Sequence, residues 1–450
     1  MEIDTNRRNI RQKTYFLVLI ILLGAILSGC TEEKQQPAVE TIEDVAFHIV
    51  TLLVESNYSG VYSFFNSSIT SQITAEEFVD IWEKQVIPSH GTITKIVQTQ
   101  MTNESGFTVV YVTCNFSKIN ALDVKITFNS DKKVTSLLVV PIQDEYTPPS
   151  YVNLSLFIEE DVTVISGQWR LPATLTIPKG TGPFPAVVLV HGSGPNDRDE
   201  TYGLNKPFKD IAWGLASIGV VVLRYEKRTK QYPQESASIQ NFTVQDETID
   251  DALAAVEVLN TSSVVNHSMI FVFGHSLGGM LAPRIALQDN QIAGLIILAG
   301  PTHHLEDLML EQTRYLANLS GTNQTEQIET IETLVQKVKN LDMNESEDVL
   351  GAPKSYWADL ATYDPVETAQ TLDIPMLILQ GERDYQVTMA DFTRWNVTFS
   401  GNPSITLHTY PFLNHFFIAG TGAPNNNEYL IEGHVAEEVI SDIADWIMNQ

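Results

Sequence analysis

Cysteine is all but missing from these 450 residues, with only Cys30 and Cys114 present. Two thiols exclude a disulfide-stapled scaffold, and no HExxH stretch or Cys/His cluster has zinc-ligand spacing. The adjacent pair His303-His304 suits metal ligation poorly, because neighbouring side chains diverge. Basic residues are also scarce: 27 lysines and arginines face 55 aspartates and glutamates, for a formal net charge of −28. Such a surface repels nucleic acid and anionic lipid headgroups, so the acidity reads as a solubility feature. The apolar stretch at 15–27 stops at 13 residues, short of the roughly 20 that span a bilayer. What is present is core material: 43% of residues are hydrophobic and 9% aromatic. The chain is long enough for two domains.

Arg7, Arg8, Arg11 and Lys13 precede the apolar stretch and Ser28-Gly29-Cys30 follows it, the order of an export signal. Leu27-Ser28-Gly29-Cys30 resembles the bacterial lipobox, in which the cysteine is lipidated and becomes the new N-terminus. That resemblance implies a signal peptide over 1–30, lipidation at Cys30 and a polar tether over 31–40. It also implies a protein anchored to a membrane at the cell surface or in the periplasm. An uncleaved anchor helix is the alternative. Twelve Asn-x-Ser/Thr sequons point toward export with glycosylation, and an unglycosylated polar surface is the other reading.

Residues 41–145 form a separate pattern. Apolar residues recur at helical spacing over 41–55 and again over 74–86. Strand-like runs follow at 92–101, 107–116, 122–128 and 133–140, divided by turn-prone residues. This predicts a small α+β domain of helices on an antiparallel meander, and it resembles the nuclear-transport-factor-like domains that precede some exported hydrolases. Residues 146–159 read as a linker. From 160 to 450 apolar strand-like runs alternate with helical stretches, the signature of a parallel sheet covered on both faces. A closing helix is expected over 427–448.

Gly274-His275-Ser276-Leu277-Gly278 matches G-x-S-x-G. An apolar strand leads into it and a helix-compatible run leads out, as a nucleophile elbow requires. On these residues the segment from about 160 onward is identified as a member of the α/β-hydrolase superfamily. The resemblance implies Ser276 as nucleophile, Asp384 in Gly381-Glu-Arg-Asp384 as the acid and His415 in Asn414-His415-Phe416 as the base. Glu382 competes for the acid role, whereas His408 and His434 (placed in strand and helix) and His191 and His275 read as non-catalytic. The Leu277 and Ser193 backbone N–H groups are the expected oxyanion donors. A helical stretch at about 301–365 interrupts the sheet pattern and is expected to form a lid. The basic cluster Arg224, Lys227, Arg228 and Lys230 reads either as a grip on an anionic substrate or as cations paired with nearby acids.

The resulting expectation is an α/β fold with a small α+β domain in front, acting as a serine hydrolase on carboxylic esters. A small-molecule acyl ester is the expected partner, no cofactor is needed, and the oligomeric state stays open. Alternatives are a peptidase of aminopeptidase or prolyl-oligopeptidase type, a thioesterase or acyltransferase, and a non-enzymatic surface lipoprotein.

Overall fold

The computed structural model describes residues 41–450 apart from 105–106, 119–120, 141, 143–145, 321–323 and 346. The expected signal peptide, Cys30 and the tether lie outside the described residues. The chain separates into two compact units, Met1–Glu145 and Tyr146–Gln450.

In the first unit, helix Ile42–Val54 starts at Thr41, whose hydroxyl accepts the Asp44 N–H while the Asp44 carboxylate accepts the Thr41 N–H. This reciprocal cap satisfies amides that have no partner inside the helix. Ile49, Val50 and Leu53 are buried, and they join the cluster that Phe78, Trp82, Val112 and Ile126 also enter. Four antiparallel strands, β1 (Ile93–Glu104), β2 (Phe107–Phe116), β3 (Leu122–Phe128) and β4 (Val134–Val140), pair in sequence order. The second helix differs from its prediction. It is α-helical only over Ala75–Ile81, then widens into a π turn at Trp82–Val86 before Ile87–His90. Pro88 lies just beyond, and a residue without an N–H cannot continue the regular ladder. Cys114 is a free, fully buried thiol, and burial pushes its pKa up to about 12, which leaves it unreactive.

The second unit is built on one eight-stranded sheet in the order β12-β11-β10-β9-β7-β8-β6-β5. Its strands are β5 (Phe157–Ser166), β6 (Trp169–Pro178), β7 (Phe184–Val190), β8 (Val221–Tyr225), β9 (Val265–His275), β10 (Gly294–Leu298), β11 (Met376–Gly381) and β12 (Ile405–Tyr410). From β8 to β12 every pair is parallel; β5 and β6 add an antiparallel edge. Strand pleating sorts β7 between two cores. Val188 and Val190 face helices Asp250–Asn260 and Leu277–Ala286, while Val187 and Leu189 face helices Pro207–Ile218 and Glu437–Met448. Each helix hides a sheet face that would otherwise lie open to water, at roughly 25 cal/mol per Å² of apolar surface.

Two details depart from the sequence reading. Residues 146–159 are not a free linker: the Tyr146 hydroxyl donates to Asp210 and the Tyr151 hydroxyl donates to the Val435 carbonyl at 2.8 Å. The closing helix is also shorter than 427–448. A 3₁₀ turn covers Asn426–Leu430, the helix proper starts at Glu437, and His434 sits in the loop between them with Nδ1 3.1 Å from Asp210. Gly433 interrupts the helical run and its N–H is taken by Asn205 at 2.8 Å. Between β10 and β11 stand helices Leu305–Ser320, Thr325–Lys339, Lys354–Leu360 and Pro365–Ala369.

The buried ion pair between Arg228 and Asp251, at 2.5 and 3.2 Å, ties the loop after β8 to helix Asp250–Asn260. Asp251→Ala strands a cation that is only 3% exposed. It should lower stability by about 3–5 kcal/mol, read as a fall in denaturation midpoint at unchanged slope.

Candidate active site

β9 and β10 carry their last residues to the carboxyl edge of the sheet, and Ser276 stands directly after β9. Its backbone has φ 53° and ψ −118°, a conformation that costs a non-glycine residue about 1–3 kcal/mol. The surrounding glycines permit it. A Cβ at Gly274 would lie 2.2 Å from the Gly278 carbonyl oxygen, and one at Gly278 would lie 2.3 Å from the Val190 carbonyl oxygen. The Ser276 N–H donates to Leu298 at 3.0 Å and its carbonyl accepts from Met280 at 2.9 Å, so the serine is held at both ends. It is partly exposed while its neighbours in the motif are buried.

The carboxylate and the imidazole come from the next loops along the sheet edge. A Cβ at Gly381 would press to 2.4 Å from the Leu413 carbonyl oxygen, so only glycine lets the end of β11 meet the loop after β12. Asp384 follows. One of its oxygens accepts the N–H groups of Gln386 and Val387 at 2.8 and 3.0 Å. The other accepts from the Gln380 amide at 3.2 Å and lies 2.6 Å from His415 Nδ1. Both side chains are buried, at 0% and 5% exposure. His415 thus points Nδ1 at an anchored carboxylate, and Nε2 makes no hydrogen bond among the described residues. Its loop is braced by Asn414, whose side-chain oxygen accepts the N–H groups of Phe416 and Ile418. Glu382 takes no part. It is exposed and accepts the Thr409 hydroxyl at 2.8 Å.

His275 joins this constellation from the residue before Ser276. Its Nε2 lies 2.9 Å from the His415 carbonyl, and its ring centroid is 4.7 Å from the His415 ring. Its Nδ1 lies 2.9 Å from a Glu200 oxygen, off the axis of an ideal hydrogen bond. Burial disfavours the His275 charge, yet the Glu200 carboxylate outweighs it and raises the pKa above the ordinary histidine value. Burial likewise opposes the Glu200 charge, and His275 reverses that and holds the carboxyl below its usual range. His191 is different: burial lowers it to about 4, so it is neutral.

The loop after β7 passes beside the serine. A Cβ at Gly192 would come within 3.1 Å of the Ser276 Cβ. The Gly192 N–H donates to Glu200 at 2.7 Å, and its carbonyl accepts Lys227 at 2.8 Å and the Asn196 amide at 3.2 Å. With Gly192 occupied, the exposed Ser193 N–H makes no hydrogen bond among the described residues. Leu277 opens helix Leu277–Ala286, where the first N–H groups lack partners within the helix. These are the two amides singled out from sequence.

Of the basic cluster, Arg224 pairs with Glu159 and Asp199, Lys227 with Glu247 at 2.7 Å, and Arg228 with Asp251, all three buried; Lys230 is exposed. Those three buried cations are internal scaffolding, not a grip for an anion. His303 packs its Nδ1 2.8 Å from Asp391. Among the described residues no group of three or more His, Cys, Asp and Glu side chains is arranged to hold a metal ion. Sequence reasoning missed Glu200 and the Lys227 clamp on Gly192. Glu200 stands in a run of charged loop residues, and nothing in that run marks it off from a solvated surface.

Comparison with known proteins gives the family of the chain. Residues 183–419 match the family described as serine aminopeptidase, S33, and residues 46–137 match a protein family of unknown function, DUF3887. Over 436 residues, 96% of this chain and 98% of its relative, the sequence is 37% identical to Esterase EstD of Thermotoga maritima. Among solved structures, Est1E from Butyrivibrio proteoclasticus is 15% identical, covering 64% of this chain and 99% of its own, with a TM-score of 0.42. An esterase from the archaeon Pyrobaculum calidifontis is 16% identical, covering 65% and 85%, with a TM-score of 0.43. These structural likenesses are too remote to bear on the chemistry. By the family match over more than half its length, and by kinship with EstD along nearly all of it, the chain belongs to the serine aminopeptidase S33 family of α/β-hydrolases.

Proposed function

We propose that this protein is an exported, membrane-anchored serine hydrolase that cleaves carboxylic esters through an acyl-enzyme, with Ser276, His415 and Asp384 as its triad. The observation that carries the reading is the buried Asp384–His415 pair at 2.6 Å, set on the loops beside a strained elbow serine. In this mechanism His415 takes the Ser276 proton at Nε2 as the hydroxyl attacks the acyl carbonyl, then delivers it to the departing alcohol. Asp384 keeps the Nδ1 proton in place and balances the imidazolium. The Leu277 and Ser193 N–H groups receive the oxyanion, each contributing about 10²–10³ in rate. Water activated by His415 then releases the acid.

Esterase activity in a 37% identical relative supports the ester as substrate. The family description favours a second reading, an aminopeptidase, which needs a carboxylate free to hold a substrate amine. The acid beside the serine loop, Glu200, is committed to His275 and Gly192, which favours the ester. Helices Leu305–Ser320 to Lys354–Leu360 are read as the lid. Tyr315 on the first of them stacks on Tyr385, the residue after Asp384, with centroids 5.2 Å apart. A cavity of about 160 Å³ lies between the insertion and Met280 of the elbow helix, with His303, Leu360 and Tyr363 among its walls.

Ser276→Ala should lower turnover of p-nitrophenyl esters by about 10⁴-fold or more and abolish labelling by a fluorophosphonate, with the fold intact. Unchanged turnover would remove the mechanism. Faster cleavage of aminoacyl-anilides than of esters by the unaltered protein would favour the peptidase. For the anchor, Cys30→Ser should shift the protein from the membrane fraction to the soluble one. Retention on membranes would instead indicate an uncleaved anchor helix.

A further inference from the structure

We propose that Glu200 holds His275 as a buried imidazolium, and that this pair is a positioning device whose loss of a proton sets the alkaline limit of turnover. The proposal rests on the ester-hydrolase reading above for its kinetic part. Each ring nitrogen of His275 faces an oxygen at 2.9 Å. Nε2 of His275 sits 2.9 Å from the carbonyl oxygen of His415, and a carbonyl can only accept, so Nε2 bears a proton. Nδ1 sits 2.9 Å from Glu200 Oε2, an ion-pair contact off the hydrogen-bond axis, and neither atom has a hydrogen-bond partner among the described residues. Glu200 Oε1 accepts the Gly192 N–H at 2.7 Å, and the adjacent His275 outweighs burial to hold the carboxyl below its usual range, so Glu200 is ionised. With Glu200 ionised, Nδ1 bears a proton too. A ring protonated at both nitrogens is a cation.

The pair joins three loops that must converge for catalysis. Through Gly192 it grips the oxyanion loop, through His275 the elbow, and through the His415 carbonyl the loop of the proposed base. Phe208 and Phe416 pack their rings 6.4 and 5.6 Å from that of His275, and both His275 and Glu200 are at most 6% exposed. The charged and titratable groups facing it are Glu200, Asp384 and His415; His191 stands beside Glu200, and Asp197 and Lys227 stand beside His191. His191 is neutral and Lys227 is matched by Glu247, so the Glu200 charge stays directed at His275.

Removing the His275 proton forces a conflict. A proton left on Nε2 sets the Nδ1 lone pair against the Glu200 carboxylate. A proton left on Nδ1 sets the Nε2 lone pair against the His415 carbonyl and releases that loop. The sign follows from the two shifts. The contribution of raised His275 is full below the unfolded histidine pKa and is lost as pH rises through the folded value. That of lowered Glu200 is full above the unfolded carboxyl pKa and is lost as pH falls through the folded one.

Glu200→Gln separates charge from geometry. Its amide oxygen keeps the Gly192 bond, and its NH₂ donates to Nδ1 of a neutral His275 that retains Nε2–H for His415. The test is a ¹⁵N-histidine NMR titration of the full chain, beside pH profiles of kcat on p-nitrophenyl acetate. In the unaltered protein His275 should show two protonated ring nitrogens at neutral pH, and its deprotonation should track the alkaline fall in kcat. In Glu200→Gln, His275 should be neutral throughout and the alkaline fall should move or vanish. Glu200→Ala, which removes both anchors, should lower kcat by about 10²-fold with KM within about twofold. One protonated ring nitrogen on His275 in the unaltered protein, an alkaline limb unmoved in Glu200→Gln, or full kcat in Glu200→Ala would each overturn the proposal. If the unaltered protein cleaves no ester, the functional reading fails and the NMR titration alone decides the pair.

Discussion

At the carboxyl edge of the large sheet, backbone packs against backbone with no side chain between. The α-carbon of Gly278 lies against the Val190 carbonyl, that of Gly274 against the Gly278 carbonyl, and that of Gly381 against the carbonyls of Leu413 and Asn414. Each contact leaves no room for a Cβ, and together they draw the ends of β7, β9, β11 and β12 to one place. The strain in Ser276 is sustained only because these neighbours allow no relaxed alternative. The two buried side chains of the Asp384–His415 pair then meet across loops whose backbones already touch. Loss of one glycine contact propagates to the others, since packed interiors transmit displacement instead of absorbing it.

Charge is used in two opposite ways by this chain. The acidic excess of −28 is a surface property. Three of the scarce cations, Arg224, Lys227 and Arg228, are instead sunk beneath the sheet edge, each matched by acids. A buried ion pair adds little net stability over an apolar replacement, yet it is costly to break and directional. Lys227 shows the use of that directionality: it bonds Glu247 and also holds the Gly192 carbonyl beside the serine. Buried pairs are screened little by salt. Positioning by Lys227 and Glu200 is therefore insensitive to ionic strength, whereas the exposed acidic surface is not.

The aromatic residues extend the same economy of position. Tyr385 follows Asp384 and Phe416 follows His415, and both enter a small buried cluster with Tyr429 to which Tyr315 of the insertion adds its ring. The residues that carry the proposed chemistry are thus flanked by residues that sense the insertion. Helix Leu305–Ser320 touches the loop holding Asp384 through the Tyr315–Tyr385 stack.

Much of this was legible before any coordinates. Continuous apolar runs alternating with helical stretches specified a covered parallel sheet, because a strand buried on both faces has no polar side to show in its sequence. G-x-S-x-G was readable as well: the elbow's demand for missing Cβ atoms is met by glycines two positions away. Local signals failed where a proline or glycine redirected the chain, at the π turn before Pro88 and at Gly433 ahead of the closing helix. The family resemblance had already put Asp384 ahead of Glu382, two residues apart and chemically alike, but the physical difference between them is tertiary. The chain turn at Gly381 buries one beside His415 and leaves the other in water. Only tertiary structure, too, turned a charged surface-like run into the acid beneath the elbow and a basic cluster into internal braces. Sequence records which groups carry charge, whereas burial and partners depend on contacts between residues far apart in the chain.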